Sequence, residues 1–158
     1  SWYAYPREAI MANHIRQQLR EAVAAAVTGL TTTGSRVFQS RAYPLQISDV
    51  PCLVVTTDGD SIEQETVHHP YIQSRQVQLR IEGYAVGTTN LDDTLDGICK
   101  EVEIAVDNAT LSMVDDIGFA GTQLDTANVP GAEKPVGKLT LIYRITVRTM
   151  SNSPDVAI

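Results

Sequence analysis

The sequence predicts an α+β fold: an antiparallel or mixed sheet of about four strands, with two amphipathic helices packed on one face. Three observations predict it. Residues 75–86 and 137–149 alternate apolar and polar side chains with the two-residue period of a half-buried strand. Residues 6–29 and the stretch after Asn90 instead repeat apolar side chains at helical spacing. Finally, 158 residues with 43% hydrophobic and 20% charged content suit a globular chain able to bury a core. We expect one α+β domain over 1–150 and a flexible tail over 151–158.

The first helix is predicted over 6–29. Pro6 suits the first turn, Ile15, Leu19, Ala22, Val23, Ala26, Val27 and Leu30 form an apolar stripe, and Gly29 supplies a stop. Met11 falls inside this pattern, so an initiator methionine is expected to have been removed ahead of Ser1. Short strands follow at 36–39 and, more strongly, at 51–57, where Leu53, Val54 and Val55 are apolar and largely β-branched. From Thr57 to Ser74 the chain carries Asp58, Asp60, Glu63 and Glu65 and no Lys or Arg. Its early part extends the strand, with Asp58-Gly59 as a bulge or turn, and the remainder reads as an exposed acidic loop or hairpin tip.

In the next strand Val77, Leu79, Ile81 and Ala85 share one face, and Gln76, Gln78, Arg80, Glu82 and Tyr84 the other. Asn90 is the predicted N-cap of the second helix, and Asp92, Asp93 and Asp96 sit where the helix dipole favours anions. Its stripe is Leu95, Ile98, Cys99, Val102, Ala105, Val106 and Ala109. Residues 110–135, with Gly118, Gly121, Pro130, Gly131 and Pro135, read as irregular connection with room for a short strand near Met113. In the last strand Leu139, Leu141, Tyr143, Ile145 and Val147 oppose Lys138, Thr140, Ile142, Arg144, Thr146 and Arg148.

Several function classes lose ground on composition. A net charge of −7 with scattered basic residues argues against nucleic-acid binding, which draws on clustered Lys and Arg. No apolar run is long enough to cross a membrane, and no basic flank leads into a secretory-type apolar stretch. Cys52 and Cys99 lack metal-ligand spacing and read as small buried hydrophobes. A reducing compartment is the economical inference, with a single disulfide left open.

Catalytic patterns are equally sparse. His68-His69 follows Glu63 and Glu65, yet no HxH or HExxH spacing is present. The place of Asp92, Asp93 and Asp96 in a first helical turn explains them without acid–base chemistry. Asp58-Gly59-Asp60 lacks the remaining oxygens of a calcium loop. There is no GxSxG elbow, and Gly29 and Gly34 flank threonines with no following Lys. We expect no catalytic residue, no metal and no cofactor: not an enzyme.

The order of local features carries more. A helix ends in a Gly/Thr linker, followed by Arg36-Val37-Phe38, the turn Tyr43-Pro44-Leu45, the strand Pro51–Val55, the helix holding Leu95 to Val106, and a closing strand ending RITVRT. This order, over roughly Pro6 to Met150, resembles the tail terminator (minor tail protein U-like) family of long-tailed bacteriophages. The resemblance implies an α+β protein that forms a hexameric ring on the last ring of tail-tube subunits. Such a ring ends tube growth and presents a surface for the head-completion or connector protein. The implied partners are other copies of itself, the major tail tube protein and that connector. DNA would pass through without specific binding, with no membrane involved. The implied location is the head-proximal end of the virion tail, reached from the host cytoplasm. An alternative is another neck, tail-completion or tube-like ring protein, and a third class is a small hydrolase or metal-dependent enzyme. The 58–71 loop and the 118–137 segment match no family motif, so no site residues transfer.

A ring of identical subunits needs two different patches that meet. The expected pair is the reverse sheet face, with Arg80, Tyr84, Ile142, Arg144 and Arg148, against an acidic patch of Asp58, Asp60, Glu63 and Glu65 on the neighbour. The acidic loop could instead line the bore, where it would keep DNA phosphates off the wall. In free subunits it is expected to be mobile and to order on docking.

Overall fold

A computed structural model describes residues 12–158, so the 6–11 part of the predicted first helix lies outside the described residues. The remainder is shorter than expected: helix α1 runs Ile15–Ala26. It starts there because the His14 side chain accepts a 3.1 Å bond from the Arg16 N–H and closes the first turn. It ends at Val27, and Gly29 (φ +88°) turns the chain back, its N–H bonding the Gly34 carbonyl at 2.9 Å.

Strand β1 (Val37–Phe38) pairs parallel with β2 (Cys52–Gln64), so the sheet is mixed. A 3₁₀ turn at Ile47–Asp49 lies between them. The hairpin partner β3 (Ile72–Val86) leads into helix α2 (Leu91–Asp107), then β4 (Asp116–Ala127), β5 (Val136–Met150) and β6 (Ser153–Ala157). Sheet order is β1-β2-β3-β5-β4. Since β3 pairs with β5 through Met150, β6 takes the side of β5 that β4 leaves at Thr146.

Among the described residues there are thus two helices and six strands rather than about four. Two expectations are corrected. The segment read as irregular, 110–135, contains the twelve-residue edge strand β4, and the tail expected to be flexible contains β6. The acidic loop is also shorter than predicted, because β2 continues to Gln64 and only 65–71 connect the strands. Asn90 does occupy the N-cap of α2, although its side chain makes no capping bond.

Both helices cover one sheet face. Ile15, Leu19 and Val23 from α1, with Val27 at its C-cap, meet Leu95, Ile98, Val102 and Val106 from α2 over Val77, Leu79, Ile81, Leu139, Leu141, Ile145 and Val147, each no more than 3% exposed. Burying each such side chain stabilises the fold by about 1.5–3 kcal/mol. Two glycines set the depth of α2. A Cβ on Gly137 would lie 2.7 Å from Leu95 Cδ1, and one on Gly83 would lie 3.0 Å from Ile98 Cγ2.

Bulges interrupt two strands. In β2 the register shifts between Thr57 and Asp60, so Thr57 pairs with Leu79 and Asp60 with Val77, both on the core side. Gly59, at φ +105°, makes this possible. In β4 the shift falls between Phe119 and Gly121 (φ +135°).

Candidate subunit interface

The reverse face of the sheet divides into a covered and an open half. Near the top, the 43–50 loop folds over Cys52 and Tyr84. Tyr43 stacks on Phe38 with ring centres 4.0 Å apart, and its hydroxyl donates to Asp49 at 3.3 Å. The 128–135 connection joins this cover, with Gly131 placed where a Cβ would be 3.3 Å from Ile47. Burial, then the Asp49 charge, pushes the Cys52 thiol up to about 12. Burial and Glu82 do the same to Tyr84, also to about 12. Tyr84 therefore sits in a cleft between two loops, beside Lys138, which pairs with Glu82 at 2.8 Å.

The lower half stays open. Gln78 pairs across to Arg144, and Arg80 to Ile142. Gly118 and Gly121 of β4 flank Arg144 and Ile142 on the other side, leaving both without a bulky neighbour there. The expected acids do not form one patch. Asp58 lies on this same face, 3.0 Å from Arg80 and 3.7 Å from Arg41, and accepts from Gln78 at 3.3 Å. Glu65 approaches Arg148 at 4.0 Å, and Arg148 also meets Asp115 at 3.1 Å. Glu63 is exposed near the hairpin tip with no ion pair among the described residues.

Asp60 faces the other way. The bulge turns it to the core side, where it takes a 2.8 Å bond from Arg75 and a 3.3 Å bond from Arg16. Arg75, 6% exposed, also donates to Thr149 at 2.9 Å. Burial raises the Asp60 carboxyl, but bonds and charges from Arg75 and Arg16 outweigh it and hold the carboxyl below its ordinary value. This knot joins α1, β2, β3 and β5.

On the open half Arg144 is the one cation without an ion pair among the described residues. Arg80 is only half satisfied, since its buried Nε has no partner. Sequence reasoning did not find Arg16, Arg41, Arg75 or Asp115 as partners of these charges. The signal for Asp60 was Gly59 inside a strand, which marks a bulge and hence a change of face. His69 packs edge-on against Tyr71 at 5.3 Å. Among the described residues no three of His, Cys, Asp and Glu converge as metal ligands, and both cysteines are free. No described helix is long and apolar enough to cross a membrane.

No protein-family model and no curated protein matches this chain.

Proposed function

We propose that this chain is a structural tail protein of a long-tailed phage, forming a ring that caps the tail tube, ends its polymerisation and offers the head-joining surface. The resemblance in element order supports this reading. The observation that carries it is the open half of the reverse face: a polar strand surface around Ile142 with one unneutralised cation, Arg144. A closed ring requires two unlike patches, and an unpaired guanidinium is a natural centre for one of them. Because Asp58 and Glu65 are engaged within the chain and Asp60 faces the core, Glu63 is the acid best placed to answer Arg144 across a seam. The chain's net charge of −7 suits a conduit that DNA must traverse without sticking.

The test is to add the purified chain to polymerising tail tube protein and measure tube lengths by negative-stain microscopy. A terminator fixes length and appears as a ring at one end. Incorporation along the tube would mean a tube-like ring protein instead, and no effect on length would reject the reading.

A further inference from the structure

The helical layer does not reach the edge of the sheet. Helix α1 lies over β2 and α2 over β3 and β5, while β4 has no comparable helical cover among the described residues. Beyond Ile117, which packs against the core, the core-side row of β4 is consequently bare: Phe119 is 44% exposed and Leu124 51%. Beside it Ile104 projects from α2, also 51% exposed. Between helix and strand lies a groove of about 590 Å³ floored by Ile104, Ile117, Phe119 and Tyr143. The Phe119 and Tyr143 rings stand 5.1 Å apart.

The charge of its rim indicates what this groove accepts. Its rim is acidic on the α2 bank, where Glu103 and Asp107 make no ion pair among the described residues; on the β4 side Asp116 shares the reverse-face register of Thr146, and Asp115 is held by Arg148. Its floor includes Tyr143, 4% exposed, whose phenol is kept protonated by burial and then by Glu103. A groove apolar below and anionic along one bank matches the face of an amphipathic helix flanked by Lys or Arg.

We propose that this groove docks a basic amphipathic helix of a partner protein, in the layer position beside α2. The proposal stands apart from the ring reading, since it uses neither Arg144 nor the reverse face. Apolar side chains of the partner would cover Phe119 and Ile104, and its cations would meet Glu103 and Asp107.

The probe is a fluorescein-labelled amphipathic peptide of Leu and Lys, tested on the full chain by anisotropy. Its controls are a Leu/Glu peptide and a Ser/Lys peptide lacking the apolar stripe. We expect the Leu/Lys peptide to bind at least about tenfold tighter than either control. Phe119→Ser should cost about tenfold. Asp107→Asn with Glu103→Gln should weaken binding at low salt, whereas Asp92→Asn with Asp93→Asn, an equal change of charge elsewhere, should not. Circular dichroism checks that each variant is folded. Equal binding of the Leu/Glu peptide, or binding indifferent to Phe119→Ser, would overturn the proposal. So would a dimer of the chain itself that Phe119→Ser dissociates, or uptake of a small apolar dye without peptide binding.

Discussion

Asp60 shows how much one backbone irregularity decides. The bulge at Gly59 carries its carboxylate to the core side, where Arg75 would otherwise be a buried cation with no counter-charge. Removing one partner of such a pair costs more than the pair contributes, because the other charge stays buried. Asp60→Asn should therefore destabilise the chain by about 3 kcal/mol, read from urea unfolding. The pH dependence follows from the lowered folded pKa. With the unfolded value near about 3.9, the contribution is complete above roughly pH 5 and fades as pH falls through the folded value. His14 acts in the same direction: burial and Arg16 lower its pKa, so the fold favours the neutral ring whose Nδ1 caps α1. Its share fades as pH drops below about 6.5. Unfolding midpoints at neutral and acid pH should converge for Asp60→Asn and the parent as pH falls. Parallel curves would show that the carboxylate is not the sensor.

At the scale of elements, the approach of α2 to the sheet depends on two absent side chains. Gly137→Ala would drive a methyl into Leu95, which is 1% exposed and has little room to move. We expect a loss of about 1–3 kcal/mol in thermal or urea unfolding; Gly97→Ala, with open space at its Cβ, should not destabilise. Elements with strong patterns were legible. The alternations over 75–86 and 137–149 gave β3 and β5 with the correct inward rows, and the α2 stripe gave its buried face, Cys99 being only half-buried. Strand β4 was hidden because an edge strand uncovered on its core side needs no alternation, and its glycines resemble a loop. Strand β6 was hidden because Ser153–Ala157 gains its structure from β5, not from its own pattern. Helix α1 was drawn as running unbroken through 12–14, whereas those residues lie outside it and it begins at the His14 cap. Of the candidate interface, the identity of the open-face residues was readable from period two. The ion pairs that bind most of those charges within the chain were not, since they depend on register across three strands.

For the whole molecule, that internal pairing narrows what a ring seam can use. Reversing a charge already neutralised in its own subunit would disturb the fold first, but Arg144 has no such partner, so Arg144→Glu addresses association alone. We expect the midpoint of ring assembly to move to at least about tenfold higher concentration by light scattering or mass photometry, with unchanged monomer stability. An unaltered oligomer mass would remove Arg144 from the seam, and only monomers at every concentration, with or without tube protein, would remove the ring itself.

Strands β3 and β5 are paired along their whole fifteen-residue lengths, with neighbours on their outer sides as well. Their backbone amides can meet solvent only when the entire domain opens, while those on the outer side of β4 exchange freely. Deuterium uptake would therefore separate a slow central ribbon from quick margins. Any partner that clasps a margin would announce itself as new protection there, against a centre that barely changes.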